Sequence, residues 1–341
     1  MLTIYDIAKK AGVSAATVSK VLNGRSDVGK TTAETVKRII DELGYQPNSI
    51  ARGLATKISK TVGVFFQDHL NTGFRHHFLQ DILASFKDVI GENGYDLVFF
   101  ANNHPDNQAE TFEARAKNRN VDGLLLLGVP RTDPNLSGIV QSGIPCMSID
   151  LDLIGPCANY LCSDNIGGAM MAVDHLVEMG HKKIAFISDV FVTKPGSDRL
   201  IGFKKAMEKH QLPILSKWIL PGDFSENGGY LSTKQLLESD HLPTAIFCAG
   251  DMMAIGAMEA IREKGFIVGK DISLIGFDDI TLLKYVTPKL TTVRQKKEIM
   301  GQLAAKELFK LMSDSNYSSS PITIETELVI RDTVANVKDE N

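Results

Sequence analysis

The chain has 341 residues, of which 43% are apolar and 23% are charged, a composition typical of globular proteins. That length suits one large domain or two to three modest ones. The net charge of −4 conceals an asymmetry, because residues 1–60 carry ten Lys or Arg and five Asp or Glu while the rest of the chain is acidic. A basic segment beside an acidic body indicates a polyanionic partner for the N-terminal segment.

The four cysteines, at positions 146, 157, 162 and 248, lack the paired spacing of a zinc site, and we expect no metal or other cofactor. The N-terminus has no cleavable signal pattern. Charged residues interrupt every long apolar stretch, so we expect no membrane helix. These observations predict a cytoplasmic protein with reduced thiols.

Residues 1–46 have the pattern of three short helices. Thr3 and Asp6 predict a capped helix start, and Gly12 ends that helix. Ser14 can cap a second helix, and a third is predicted over 30–43. Two helices joined by a short turn with Gly indicate a helix-turn-helix, although a plain helical hairpin has the same spacing. The small residues that start the second helix allow its backbone to approach base edges closely.

The stretch TIYDIAKKAGVSAATVSKVLNG, followed by GYQPNSIARGLATK, resembles the lactose/galactose-repressor family of bacterial transcriptional regulators. The similarity continues across the whole chain. It implies base-reading positions at Ala15, Ala16 and Lys20, and phosphate or groove-wall contacts at Thr3, Tyr5, Ser14, Thr17, Ser19 and Asn23. Many members carry Arg at position 20, and Lys lacks the two-pronged guanidinium, so the same base preference is not implied.

Residues 47–60 are expected to form a hinge. The helical segment 49–55 has only two turns, and Gly53 weakens it by roughly 1 kcal/mol, so we expect it to fold only on DNA. In the family this segment enters the minor groove as a symmetric pair with a Leu wedged between base pairs. The resemblance assigns DNA contacts in the hinge to Asn48, Ala51, Arg52, Leu54 and Ala55. The alternative is that Ile50 and Leu54 pack on the body.

From residue 61 onward, short apolar strands alternate with amphipathic helices. This rhythm predicts an α/β body with two doubly wound parallel-sheet lobes, the periplasmic-binding-protein architecture that the resemblance also implies. We expect one lobe over about 61–160 and 292–321 and the other over about 161–291 and 322–341. A helix is expected over 296–312 and a single strand over 321–330.

Ligands of such folds bind at the carboxyl ends of the strands, in the cleft between the lobes. Carboxylates and an Arg suit vicinal hydroxyl groups, and an aromatic ring suits an apolar ligand face. The candidate effector-binding residues are His76, Phe78, Asp150, Arg199, Phe224, Asp251 and Asp278. A helix is expected to begin at Asp198 and Arg199. For Asp251 a helix-capping role is the competing interpretation. Lys296 and Lys297 are expected to be solvated.

We therefore expect a homodimeric repressor of carbohydrate-utilisation genes that binds a pseudo-palindromic double-stranded operator. Its effector is expected to be a sugar or sugar phosphate. Three alternatives stay open. The body can respond to a protein corepressor, as in catabolite-control regulators. It can respond to a nucleoside or purine. An enzyme on the same scaffold is the third, but the catalytic motifs of hydrolases, nucleotide-binding loops and zinc proteases are missing from the sequence.

Overall fold

The computed structural model describes residues 2–22, 24–25, 27–45, 58–66, 74, 76–101, 110–189, 193–314, 316–317 and 320–337. The chain divides into two compact units, Met1–Lys60 and Thr61–Asn341. They are called the head and the body below. Within the described ranges, no helix is long and apolar enough to cross a membrane.

The head is built from three helices around a small apolar core. They are α1 (Ile4–Ala11), α2 (Ala15–Leu22) and α3 (Lys30–Leu43). The N–H and the hydroxyl group of Thr3 both donate to the Asp6 carboxylate, at 2.8 and 2.7 Å, and these bonds lower the pKa of Asp6. Gly12 ends α1 with a φ of 65°, a left-handed conformation that glycine adopts without strain. The predicted helix-turn-helix is confirmed.

Side chains from all three helices fill the core of the head. Ile7, Val18 and Val36 are fully buried, and they lie on α1, α2 and α3 respectively. Burying one such side chain contributes about 1.5–3 kcal/mol. Because the inner face of α2 is fixed by this core, its opposite face is held outward.

The first sheet of the body has the strand order β11-β5-β4-β3-β1-β2, and every neighbouring pair is parallel. Its strands are β1 (Thr61–Phe66), β2 (Asp96–Phe100), β3 (Gly123–Leu127), β4 (Cys146–Ile149), β5 (Ala158–Ser163) and β11 (Ile322–Ile324). The helices of this lobe are α4 (His77–Glu92), α5 (Phe112–Asn118), α6 (Leu136–Gln141) and α11 (Lys297–Ser313). All five residues of β3 are buried, as expected for a strand covered on both faces.

The second sheet has the order β12-β10-β9-β8-β6-β7 and is parallel except for the antiparallel pair β10–β12. Its strands are β6 (Ile184–Ser188), β7 (Ile219–Pro221), β8 (Ala245–Cys248), β9 (Ser273–Asp278), β10 (Thr291–Arg294) and β12 (Glu327–Val329). The helices of this lobe are α7 (Asn165–Glu178), α8 (Lys194–Lys209), α9 (Glu226–Leu237) and α10 (Asp251–Glu263), with 3₁₀ helices at Ser216–Trp218 and Thr281–Tyr285. The two parallel-sheet lobes are confirmed.

The chain passes between the lobes three times: after β5, after β10 and after β11. The predicted single strand over 321–330 is wrong. It consists of β11 in the first sheet and β12 in the second, with Glu325 and Thr326 between them. An apolar pattern shows that a segment is extended, but it does not reveal which sheet each part of the segment joins.

The predicted start of α8 is also wrong. The helix begins at Lys194 rather than at Asp198, because the hydroxyl oxygen of Thr193 accepts a hydrogen bond from the Gly196 N–H at 3.1 Å. Pro195 lies in the first turn, where its missing N–H costs nothing. The Pro-Gly-Ser sequence indicated a loop but is in fact the first turn of the helix.

Candidate functional site

The outer face of α2 carries small and cationic side chains. Ala16 and Lys20 are exposed, and Ala15, Thr17 and Ser19 are half-buried. The hydroxyl oxygen of Ser14 accepts a hydrogen bond from the Thr17 N–H at 3.1 Å, which caps the N-terminus of the helix. An exposed helix with a capped N-terminus and small residues in its first turn fits the width of a DNA major groove.

Lys20, the cationic candidate for base recognition, is held by a neighbour. Its Nζ lies 2.6 Å from the Asp27 carboxylate, and this contact lowers the pKa of Asp27. Both side chains are about half exposed, so the ion pair is weak and a DNA acceptor can replace it. Thr3 and Tyr5 are also exposed, Tyr5 to 74%. Asn23, Asn48, Ala51, Arg52, Leu54 and Ala55 lie outside the described residues.

The body contains a cleft where the carboxyl ends of the strands of both lobes meet. One cavity of about 100 Å³ adjoins a second of about 140 Å³, and the two share part of their lining. The structure brings six of the seven effector-binding candidates together on the first cavity: His76, Phe78, Asp150, Arg199, Phe224 and Asp278. Carboxyl groups, one guanidinium and aromatic rings therefore face one space.

Arg199 is the most constrained of these side chains. It is 2% exposed, and its Nε donates to the Asn165 side-chain oxygen at 2.8 Å. Its Nη1 donates to the Ala249 carbonyl and lies 3.4 Å from the Asp278 carboxylate. The guanidinium stacks on Phe277, 3.7 Å from the ring centroid. These contacts fix the guanidinium at the cavity wall.

Asp278 lies at the end of β9 in a strained conformation, with a φ of 118°. Its Oδ1 accepts from the Gln295 side-chain N–H at 2.6 Å as well as from Arg199. Burial raises the pKa of the Asp278 carboxyl group, and the Arg199 charge opposes that rise. The carboxyl group is thus held at the cavity wall by side chains from α8 and from the segment after β10.

Asp150 follows β4 in the opposite lobe and has a left-handed φ of 57°. Its Oδ1 is buried and has no hydrogen-bond partner in the described part of the chain. Burial raises the pKa of Asp150 to about 7, with Arg199 opposing the rise and Asp278 adding to it. A buried polar atom without a partner is costly unless a ligand or water satisfies it. Asp150 can therefore accept a hydrogen bond when ionised or donate one when neutral.

Asp251 is not brought to this cavity. Its Oδ1 accepts from the Thr292 hydroxyl at 2.6 Å and its Oδ2 accepts from the Ile280 N–H at 2.9 Å. It is the first residue of α10, after the N-cap Gly250. Asp251 therefore ties α10 to β10 and to the segment after β9.

Lys297 is buried, and the expectation of a solvated lysine pair is wrong for it. Its Nζ donates to the Asp278 and Asp279 carbonyl groups at 3.2 and 2.7 Å. Asp278 and Asp279 have positive φ angles of 118° and 52° at the end of β9, and the Lys297 cation satisfies both of their carbonyls. Sequence reading missed this role because it depends on a contact between distant segments.

Thr193 and Lys194 also line the cavity, and the misplaced start of α8 concealed them. Lys194 pairs with Asp152 of the opposite lobe at 3.0 Å and with Asp198 at 2.8 Å. Asp152 also contacts Arg131. An ion pair therefore joins the two lobes at the edge of the cleft. Of these contacts, the sequence could indicate only the pairing of Lys194 with Asp198, because the two residues lie four positions apart on one helix.

The arrangement is suited to binding. It supplies fixed hydrogen-bonding groups around an aromatic-lined space. Among the described residues, no group of three or more His, Cys, Asp or Glu side chains is placed to hold a metal ion.

Comparison with known proteins agrees with this architecture. Residues 3–48 match the family described as bacterial regulatory proteins, lacI family, and residues 173–334 match a periplasmic binding protein-like domain. The HTH-type transcriptional repressor PurR of Haemophilus influenzae (strain PittEE) is 37% identical over 345 residues, which cover 99% of this chain and all of the relative.

Two solved structures resemble nearly the whole chain. The lac repressor dimer bound to operator and the anti-inducer ONPF has a TM-score of 0.86 at 30% identity and covers 98% of this chain and 99% of that one. The transcriptional regulator CelR–cellobiose complex has a TM-score of 0.75 at 29% identity, with 98% of this chain and 100% of that one covered. With a repressor more than 30% identical over its full length, the chain belongs to the lacI family of bacterial regulatory proteins.

Proposed function

We propose that the protein is a cytoplasmic, homodimeric transcriptional repressor whose affinity for operator DNA is set by a small molecule in the cleft of the body. The observation that carries the proposal is the presence, in one chain, of a helix-turn-helix head and a ligand-shaped cleft with an unsatisfied buried carboxyl oxygen at Asp150. The relatives are transcriptional regulators, which disfavours the enzyme alternative.

On the DNA side, we propose that two copies of α2 read successive major grooves of a pseudo-palindrome. Ala15, Ala16 and Lys20 contact bases, while Thr3, Tyr5, Ser14, Thr17, Ser19 and Asn23 contact phosphate or the groove wall. The segment 47–60 serves as the hinge, with Leu54 as the minor-groove wedge and Asn48, Ala51, Arg52 and Ala55 beside it. A dimer is supported by the need for two heads at half-sites about one helical turn apart.

For the effector, we propose a planar nucleobase of the purine type. This supersedes the sugar expected from the sequence, because the full-length relatives are repressors named PurR. The cleft also supports it. Phe78 and Phe224 line the space and offer apolar ring faces, while Asp150 and Asp278 offer acceptors or donors for ring N–H and exocyclic groups. Effector contacts are proposed for His76 and Arg199 as well. Asp251 then supports the wall without touching the ligand.

A sugar is the second candidate, favoured by one specific observation. Arg199 and two carboxyl groups surround the same small space, a combination that also suits vicinal hydroxyl groups. The CelR complex contains cellobiose. A protein corepressor is a third possibility, but it would leave the unsatisfied Asp150 oxygen in the cleft unexplained.

Calorimetry on the full chain separates these candidates. Adenine, guanine and hypoxanthine are titrated in parallel with ribose and cellobiose. We expect one purine to bind, and Phe224→Leu to weaken it by about tenfold, since base–aromatic stacking is worth roughly 1–3 kcal/mol. Phe266→Leu is the matched control, because this half-buried ring lies outside both cavities. Binding of a sugar but no purine would transfer the assignment to the second candidate.

A further inference from the structure

A third cavity, of about 610 Å³, lies outside the two that form the cleft. Its wall is made by the 3₁₀ helix Thr281–Tyr285, the end of β10 and the beginning of α11. Six cationic side chains and three carboxylates line it. The excess of positive charge distinguishes this cavity, here called the crossover cavity, from the carboxylate-rich cleft.

The carboxylates of the crossover cavity are mostly neutralised within the protein. Asp279 accepts from Arg294 at 2.7 Å and from Arg331 at 2.6 Å, and Asp81 lies 3.7 Å from the Lys297 Nζ. The third, Glu298, is exposed. These ion pairs therefore neutralise three of the six cationic side chains, Arg294, Arg331 and Lys297.

Three cations are left without a carboxylate partner in the described structure: Lys284, Lys289 and Lys296. The Lys289 Nζ donates to the Lys284 carbonyl at 2.5 Å, and the Lys289 backbone N–H donates to the Asp332 carboxylate at 3.1 Å. Three lysines around one cavity repel one another, and an anion of charge −2 would relieve that repulsion.

Two further features of the wall point to a ligand. The helix α11 has 17 residues, and its N-cap Lys296 provides no side-chain hydrogen bond, so the first-turn N–H groups and the helix dipole favour an anion. Independently, Gln295 is 1% exposed and its Oε1 has no partner in the described structure, while its Nε2 donates to Asp278 at 2.6 Å. That oxygen can accept a hydrogen bond from an N–H or O–H group of a ligand.

We propose that the crossover cavity binds a small phosphate monoester. The phosphate group lies between Lys284, Lys289 and Lys296 at the start of α11, and a hydroxyl or amino group of the same molecule donates to Gln295. Arg and Lys side chains around a helix N-terminus form strong charge-assisted bonds to phosphate oxygens.

Occupancy of this cavity is communicated to the cleft. Gln295 holds the Asp278 carboxylate, and the neighbouring Lys297 holds the Asp278 and Asp279 carbonyls. A phosphate ester that shifts this segment changes the affinity of the cleft for its effector. This second consequence rests on the proposed function; the binding itself does not.

Calorimetry on the full chain at low ionic strength tests the site, with ribose 5-phosphate as the probe and ribose as the matched ligand without phosphate. We expect one ribose 5-phosphate per chain and no ribose at this site. The double variant Lys284→Gln/Lys296→Gln is expected to weaken binding by about tenfold. The control Lys204→Gln/Lys205→Gln removes the same charge from exposed positions of α8 and is expected to change the affinity less than about twofold.

Equal losses in both double variants, or no binding by the wild type at millimolar ligand, would overturn the proposal. So would loss of ribose 5-phosphate binding in Phe224→Leu, because the ester would then occupy the cleft. All variants change side chains without removing buried polar contacts, and Trp218 fluorescence checks that the body remains folded. Operator binding is measured separately, so failure here leaves the repressor assignment intact.

Discussion

Arg199 and Asp278 form a buried ion pair in the wall of the cleft. The change Arg199→Met removes the guanidinium but keeps much of the apolar stem over Phe277. It leaves the Asp278 carboxylate buried without its cationic partner, and it removes the hydrogen bonds that Arg199 donates to Asn165 and to the Ala249 carbonyl. Breaking a buried ion pair from one side typically costs about 3–5 kcal/mol. We expect a loss of that size in the free energy of unfolding of the body.

The change Asp278→Asn is expected to be milder. Burial already raises the pKa of this carboxyl group, so its charge is disfavoured in the folded protein. The Asn side chain can still accept from Gln295 and Arg199. When both changes are combined, the loss should fall below the sum of the single losses by about 1–3 kcal/mol, as expected for directly interacting groups.

Urea titration followed by tryptophan fluorescence provides the assay. The chain has a single tryptophan, Trp218, which is 5% exposed and lies in the second lobe of the body. Its signal therefore reports unfolding of the body without a contribution from the head. Additivity of the two single losses within about 0.5 kcal/mol would show that Arg199 and Asp278 do not interact in solution, and the geometry of the cleft wall would then be refuted.

The contacts of Lys20, Asp150 and Lys194 each have a measurable consequence. Lys20→Ala is expected to weaken specific operator binding by about 1–3 kcal/mol, as measured by fluorescence anisotropy. Lys9→Ala, on α1, is the charge-matched control. Equal losses of operator affinity in the two variants would contradict base recognition by Lys20. Burial raises the pKa of Asp150 to about 7, so its contribution to stability is full at low pH and is lost as the pH rises from about 4 to 7, by at most about 1.4 kcal/mol per pH unit. Asp150→Asn should reduce the difference in the free energy of unfolding between pH 5 and pH 8, as measured by urea titration. An unchanged difference would refute the role of Asp150 in this pH dependence. Lys194→Met breaks the ion pair between the lobes and should change effector affinity in calorimetry more than Lys217→Met does. Equal effects of the two changes would exclude a role for the pair in effector binding.

Local signals were sufficient for the head. Thr3 and Asp6 predict the start of α1, and Gly44 predicts the end of α3, because caps and left-handed glycines depend on residues a few positions apart. The buried run of β3 similarly predicts a central parallel strand. These features required no knowledge of distant contacts.

The cleft depended on both local and distant information. Position after a strand predicted Asp150 and Asp278 as residues near the ligand, since parallel strands end at one edge. The same rule selected Asp251, whose carboxylate is instead satisfied by Thr292 and the Ile280 N–H. Which carboxylates face the cavity is decided by partners about 30–40 residues away in the chain. The contacts of Lys297 with Asp278 and Asp279, and of Asp152 with Lys194, could not be predicted either. They join segments that are distant in the sequence, and no sequence pattern indicates that these segments meet.

We expect occupancy of the cleft to control DNA binding. Operator sequences selected by the full chain from random DNA would be measured by anisotropy at fixed salt, with and without the ligand identified by calorimetry. We expect enriched pseudo-palindromic sites and an affinity that changes about tenfold or more with ligand, an effect that Phe224→Leu removes at the same ligand concentration. Asymmetric sites, or an affinity that saturating ligand leaves unchanged, would contradict it.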